Sequence, residues 1–440
     1  LDFAPYLEGK NVLLGISGGI AAYKSAHLAR LFLRARARVT AMMTPAATRF
    51  LGPLTLESLT GRPVLTDVLQ PGPDETGSRI EHVAAAAEAD LMVIAPATAN
   101  TLARLAHGLA DEMVSTTALA CRAPLLLAPA MNVQMWHHPA TQANVALLRE
   151  RGCFFVGPEP GDLACGDEGL GRMSEPEKIV EKSVLVSGTA EWKGRKILVT
   201  AGGTREPLDP VRFVGNRSSG KMGCAVARAA AARGAEVILI ASGVTNGVPL
   251  GVTHVSVQTT AEMREAVLAH CDSAAVVVMA AAVADWRTVA PSAEKWSKET
   301  MGQRVQLELV RNPDILQELG ERRRAQVRDE KKHLQPGSPL LVGFAAQWGG
   351  QAEKRGKAKL AAKGCDIMVI NDCAAQDAGF GVETNRAVVL DTDGKRFAFE
   401  LMSKARLGEQ ICRIIAARER KRQPPETQVA DTDHDGRDTD

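Results

Sequence analysis

Short apolar runs recur along the chain at intervals wide enough for a helix, each bounded by glycine, proline or small polar residues. Asn11-Val12-Leu13-Leu14-Gly15-Ile16 is the first, followed by Val39 to Met43, Leu91 to Ala95 and Leu125 to Ala128. Runs this short, without strict alternation, predict strands buried on both faces of a parallel sheet. Residues 11–156 therefore predict a doubly wound α/β domain. Lys196 to Thr200 opens a second series, continued by Val237–Ile240, Ala275–Met279, Leu340–Ala345 and Asp366–Ile370. Val388–Leu390 and Phe397–Phe399 flank Asp391-Thr392-Asp393-Gly394, a hairpin signal. The expected division is a first domain over 1–186, a linker over 187–194, a second domain over 195–420 and a tail over 421–440. From Gln423 onward proline, aspartate and threonine replace apolar residues, the composition of disorder.

Candidate chemistry gathers where these strands end, because ligands of open parallel sheets sit at the carboxyl edges. Ser17-Gly18-Gly19-Ile20 follows the first strand and suits an anion at a helix start, or equally a purely structural turn. It is not GxGxxG, so a classical dinucleotide fold is not indicated. Thr44 ends the second strand, and Pro96-Ala97-Thr98-Ala99-Asn100-Thr101 ends the third. After the fourth comes Pro129-Ala130-Met131-Asn132-Val133-Gln134-Met135-Trp136, an amide among soft apolar side chains that would wall a small-molecule pocket. His82 precedes a helix expected from Val83 to Ala89 and fits either a surface residue or an acid–base group. Cys165 lies in a glycine-rich segment, 164–173, that predicts a mobile flap, where a thiol can act as acid or nucleophile.

The second half repeats the device with Ala201-Gly202-Gly203-Thr204. Gly215-Asn216-Arg217-Ser218-Ser219-Gly220-Lys221-Met222 nearly matches a P-loop. Met222 stands where a magnesium-binding hydroxyl belongs, however, and no strand is expected to lead straight into it. The glycines, hydroxyls and lysine at a helix start still suit a phosphate. Asp285, expected after a strand running through Ala284, adds charge at another edge, as do Lys295 and Lys298. Lys359 and Lys363, four apart, are either a phosphate clamp or a solvated helix face.

At 440 residues, 45% hydrophobic and 24% charged, the chain has the composition of a soluble multi-domain protein. A formal charge of +2 gives no reason to expect nucleic acid or a membrane surface as partner. No apolar run reaches the roughly 20 residues of a membrane span, and no signal-peptide layout opens the chain. Eight cysteines without CxxC pairs argue against a disulfide framework and a structural metal, and for a reducing, cytoplasmic setting.

Residues 11–175 resemble the flavin-dependent cysteine decarboxylases, carried by Pro96–Thr101 and Pro129–Trp136, and residues 194–415 resemble phosphopantothenate–cysteine ligase. The two in this order resemble the bifunctional enzymes of bacterial coenzyme A synthesis. The resemblance implies a flavodoxin-like flavoprotein domain followed by a Rossmann-like ligase domain. It further implies that Ser17, Gly18, Gly19, Ile20, Thr44, Thr98 and Asn100 hold FMN, that His82 helps remove a thiol proton, that Asn132 orients the substrate carboxylate and that Cys165 is the proton donor. In the ligase half it implies an acyl-cytidylate formed from CTP with Mg²⁺, although the sequence leaves the metal's ligands unknown. Asn216 would bond the acyl oxygen, and Lys295 would offset charge on phosphorus. Ala281, Asp285, Phe344, Lys359 and Lys363 would contact the nucleotide. The implied partners are small molecules (4'-phosphopantothenate, cysteine and CTP), and the implied assembly is a homo-dodecamer with flavin sites shared between subunits.

Three segments depart from the family pattern. Ser297 stands in place of a lysine, Gln347 in place of a glutamate, and Asp111-Glu112 in place of an Asn-Asp pair. Competing readings are a flavin-binding regulatory protein, a ligase with an inactive flavin domain, and a P-loop NTPase. FMN retention and a preference for CTP over ATP separate them.

Overall fold

The computed structural model describes residues 2–69, 81–162, 166, 168–244, 247–297, 299, 303–328, 338–347, 351–372, 377, 379 and 381–422. In the N-terminal half five strands form a parallel sheet: β1 (Asn11–Ile16), β2 (Arg38–Met43), β3 (Leu91–Ala97), β4 (Leu125–Pro129) and β5 (Phe154–Phe155). Their order is β2-β1-β3-β4-β5, the flavodoxin-like arrangement, whose switch point lies between β1 and β3. The apolar runs lack alternation because both faces are covered. Val12, Leu14 and Ile16 pack under helices Tyr23–Arg34 and Pro176–Val186. Leu13, Met92 and Ile94 meet helices Ala99–His107 and Met113–Ala120 on the other side. Each such side chain contributes about 1.5–3 kcal/mol by leaving water.

The glycine-rich stretch after β5, expected to lack regular structure, is in part an antiparallel ribbon of β6 (Glu159–Asp162) and β7 (Glu168–Arg172). Gly161 and Gly169 face each other across it at φ 142° and 151°, values other residues rarely adopt. The glycines that argued against a strand are what let this one form. Cys165 lies outside the described residues, as does the tail from Gln423.

The C-terminal half holds a larger sheet. Its strands are β8 (Lys196–Gly202), β11 (Glu236–Ser242), β12 (Val252–Ser256), β13 (Val276–Met279), β16 (Leu340–Gln347), β17 (Ile367–Asp372), β18 (Thr384–Asp391) and β19 (Arg396–Ser403). They lie in the order β12-β11-β8-β13-β16-β17-β18-β19, parallel as far as β17 and antiparallel for the last two. Two short ribbons stand apart from it, β9 (Arg205–Pro207) with β10 (Phe213–Gly215) and β14 (Trp286–Thr288) with β15 (Leu309–Arg311). The strand expected over Ala275–Met279 forms as Val276–Met279 and does not run on through Ala284. Beyond it Ala281 and Ala284 donate their N–H groups to the Thr200 and Thr204 hydroxyls, at 3.1 and 2.8 Å, instead of to a ladder.

Two further boundaries differ from expectation. The helix expected from Val83 starts at Glu81 and so includes His82, and the last helix, Lys404–Arg422, takes in Lys421 and Arg422. Between the halves, residues 187–194 are packed rather than extended. Trp192 is 3% exposed, its N–H donates to Arg233 O at 2.8 Å, and the Arg233 guanidinium lies 5.6 Å from its ring centre.

Candidate active sites

The first site is a cavity of about 980 Å³ at the carboxyl edge of the N-terminal sheet. Its floor is the turn after β1. Gly18 lies so close to the turn after β2 that a Cβ there would fall 2.4 Å from Ala46 Cβ and 2.8 Å from the Ala46 carbonyl carbon. Thr44, the residue after β2, lines the wall and accepts from Ala47 N at 3.2 Å. Opposite stand Thr98, the N-cap of helix Ala99–His107, and Asn100. Ser17 is the exception among the expected residues. It is buried beneath the lining, its Oγ donating to Pro96 O at 2.8 Å and accepting from Thr98 N at 3.0 Å, so it ties the β1 and β3 ends together.

After β4, Asn132 faces the same cavity and is also the N-cap of helix Val133–His137, its Oδ1 accepting from Gln134 N at 2.8 Å. Met131 and Met135 form the apolar wall. Trp136, expected to share that role, instead points into the core among Leu102, Val145 and Leu148. His82 does not line the cavity of its own chain. It is half-buried, and its Nδ1 has no hydrogen-bond partner among the described residues.

Local sequence signals did not mark several charged residues on this wall. Lys24 and Arg172 both pair with Glu175, and Arg104 pairs with Asp111. Burial works against the Glu175 charge, but the hydrogen bonds from Lys24 and Arg172 prevail and hold its carboxyl below the usual range. Glu112 caps helix Met113–Ala120, accepting from Val114 and Ser115 N–H at 2.9 and 2.8 Å. The Asp111-Glu112 departure thus carries one ion pair and one helix cap.

The second site, about 480 Å³, opens at the carboxyl edges of β13 and β16. Ala281 and Asp285 line it from the segment that leaves the sheet after β13, and Phe344 lines it from β16. Lys359 and Lys363 reach it from helix Ala352–Lys363. Lys363 pairs with Asp314, whose carboxyl is held low: burial opposes its charge, and the Lys363 ammonium outweighs it. The loop resembling a P-loop forms the facing wall. A short strand, β10, does lead into it, but that strand belongs to an antiparallel ribbon and not to the parallel sheet. Asn216 sits on this loop with its Nδ2 donating to Val283 O at 2.8 Å. Gly220 caps the following helix at φ 73°, where a Cβ would lie 2.2 Å from Val244. Lys295, the remaining expected residue, is exposed and does not line this cavity. Asn312, Asn371 and Asn385 also line it, and no local motif singled them out.

No cluster of three or more metal-ligating side chains occurs among the described residues, and no helix there is long and apolar enough to cross a membrane. A family model described as Flavoprotein matches residues 5–187, and one described as DNA/pantothenate metabolism flavoprotein C-terminal domain matches residues 192–418. The chain is 43% identical over 415 residues to the Coenzyme A biosynthesis bifunctional protein CoaBC of Bacillus subtilis (strain 168), covering 93% of this chain and 98% of that one. It is 44% identical over 417 residues to the protein of the same name from Mycobacterium bovis (strain ATCC BAA-935 / AF2122/97), covering 92% and 96%.

Proposed function

The chain belongs to the family of coenzyme A biosynthesis bifunctional proteins, a decarboxylase joined to a phosphopantothenate–cysteine ligase, and from that premise we propose a role for each cavity. The second cavity joins 4'-phosphopantothenate to cysteine with CTP, and the first decarboxylates the product to 4'-phosphopantetheine. The carrying observation is that each half, matched by its own family model, has its own cavity at the carboxyl edge of its own parallel sheet.

FMN is the group proposed for the first cavity. A space of about 980 Å³ walled by a turn that has no room for a Cβ at Gly18 fits a flat ring system with a phosphorylated tail. Gly18, Gly19, Ile20, Thr44, Thr98 and Asn100 would hold it, with Ser17 acting from beneath. Bound there, FMN supplies a two-electron acceptor for the substrate's β-carbon, which an amide-linked cysteine otherwise lacks. Asn132 orients the carboxylate that leaves as CO₂. His82 takes the thiol proton, and Cys165 returns a proton to carbon. Ile20, Tyr23 and Met135 stand exposed at the mouth. They support a flavin site closed by a second copy of the chain, from which His82 would reach in, within a larger homo-oligomer.

In the second cavity the carboxylate of 4'-phosphopantothenate attacks the α-phosphorus of CTP, expelling pyrophosphate, and the amine of cysteine then displaces CMP. Lys359 and Lys363 suit the nucleotide phosphates, whose own oxygens would carry Mg²⁺. Ala281, Asp285 and Phe344 wall the nucleoside, and Asn216 bonds the acyl oxygen. Lys295 offsets charge on phosphorus when its exposed side chain turns toward a bound nucleotide. The cytoplasm is the proposed compartment, where these small molecules are made.

The test mixes purified protein with FMN, Mg²⁺, CTP, cysteine and 4'-phosphopantothenate, and identifies products by mass spectrometry. Phosphopantetheine and CMP together are expected. Accumulated phosphopantothenoylcysteine would overturn the role of the first cavity. If no CTP-dependent adduct forms but supplied phosphopantothenoylcysteine still loses CO₂, the role of the second is overturned.

A further inference from the structure

The turn between β9 and β10 is organised by one carboxylate that the reaction itself does not use. Asp209 has no exposed side-chain surface, whereas Arg212, its partner, is 44% exposed. Asp209 Oδ1 accepts from Val211 N at 2.7 Å and Arg212 N at 2.6 Å, closing the turn. Its Oδ2 accepts from Arg212 Nη1 at 2.6 Å and from Trp296 N at 3.2 Å, 87 residues away in sequence. Arg212 Nη1 also donates to Trp296 O at 3.2 Å, so both backbone groups of Trp296 are held by one Asp–Arg pair. A further bond, Ser292 N to Leu208 O at 2.9 Å, ties the same loop to the same turn. The residue preceding Trp296 is Lys295.

The ribbon that carries this pair also delivers Asn216. β10 ends at Gly215, and Asn216 follows it into the cavity wall. One rigid hairpin thus carries the residue proposed to meet the acyl oxygen and, at its other end, the clamp on the loop proposed to meet the phosphorus.

We infer that Asp209 is a positioning residue of the ligase. Acting with Arg212, it holds the backbone on which Lys295 sits, so that the lysine reaches the transition state without the loop first having to be ordered. This rests on the proposed role of Lys295. Holding a group in place before reaction raises kcat, whereas contacts to the nucleotide set KM, so the two are separable. The charge of Asp209 matters as well as its shape. An amide at this position would turn an N–H donor toward either the backbone donors of the turn or the pair of donors from Arg212 and Trp296.

The experiment is a double-mutant cycle on the full-length protein, with CMP release measured under saturating 4'-phosphopantothenate and cysteine. Asp209→Asn is expected to lower ligation kcat by about tenfold or more with the KM for CTP within about twofold of wild type. Lys295→Gln is expected to lower kcat at least as much. The double variant should be no slower than Lys295→Gln alone, because Asp209 acts through the lysine. Unchanged decarboxylation of supplied phosphopantothenoylcysteine and an unchanged KM for CTP report that both halves are folded. Multiplying losses in the double variant would overturn the inference and make Asp209 a general structural residue. Wild-type kcat in Asp209→Asn, with Lys295→Gln still impaired, would overturn it while leaving the lysine's role standing. A fully active Lys295→Gln would remove the lysine's role and the inference with it.

Discussion

Arg228 Nε donates to Glu181 Oε1 at 2.8 Å across the junction of the two halves, with the two side chains only 5% and 10% exposed. Glu181 is on helix Pro176–Val186, which covers the first sheet, and Arg228 is on helix Lys221–Ala231, which covers the second. Tyr6 packs against both cores beside them. The halves therefore share a buried interface with an ion pair inside it. Glu181→Ala, which leaves the guanidinium buried and unpaired, is expected to cost about 3–5 kcal/mol. A urea titration of full-length protein reads this as a lower midpoint. An unchanged midpoint would mean that water reaches Arg228.

Gly18→Ala tests the floor of the first cavity. Its Cβ would meet the backbone carbon of Ala46 at 2.8 Å, so the turn after β2 must move. The expected result is a protein that loses FMN on gel filtration while CTP-dependent ligation stays at the wild-type rate. Retained flavin absorbance with normal decarboxylation would show that the turn does not contact the cofactor.

Asn132 serves as a helix cap and faces the cavity, and two substitutions separate those roles. Asn132→Ser keeps a capping oxygen and should melt within about 0.5 kcal/mol of wild type, whereas Asn132→Ala loses about 1 kcal/mol. Both remove the amide, so both should slow decarboxylation by about a hundredfold. Normal turnover in the serine variant would reduce Asn132 to a cap.

Lys363→Met should raise the KM for CTP by about tenfold, since a charged contact to phosphate contributes about 1.5–3 kcal/mol. Decarboxylation of supplied phosphopantothenoylcysteine should not change. A KM that stays put would make the pairing with Asp314 purely structural.

Asp209 sets an acid limit on the C-terminal half. Burial opposes its charge, but the N–H groups of Val211, Arg212 and Trp296, with the Arg212 guanidinium, hold its pKa down at about 2, against 3.8 unperturbed. A depressed carboxyl pKa stabilises the fold fully above the unfolded value, and that stability is lost as pH falls through the folded value. The difference in stability between wild type and Asp209→Asn should be constant above pH 4 and shrink between about 4 and 2. Acid denaturation curves of the two proteins measure it, and a gap undiminished at pH 2 would contradict the assignment.

The buried strands were legible in the sequence, because a strand covered on both faces is apolar along its buried stretch, as β3 is throughout, β1 from Val12 to Ile16 and β8 from Ile197 to Val199. The ribbons were not. β9, β10, β14 and β15 have three residues each, too few for any period to show, and their pairing comes from partners elsewhere in the chain. Beyond Met279 the hydroxyls of Thr200 and Thr204 likewise take the N–H groups of Ala281 and Ala284, an arrangement invisible from either segment alone.

What the sequence determined by itself was the pair of α/β halves and the glycine turns at their strand ends. Both follow from short-range rules: apolar patterning within a strand, and backbone freedom within a turn. Only the tertiary structure decided that Ser17 lies beneath the first cavity rather than in its lining, that Trp136 belongs to the core, and that Lys295 sits outside the second cavity on a loop clamped by Asp209. It also decided that the halves are locked by Arg228 and Glu181, 47 residues apart. Such contacts depend on the directions in which folded elements bring distant side chains together, and no local pattern of residues encodes those directions.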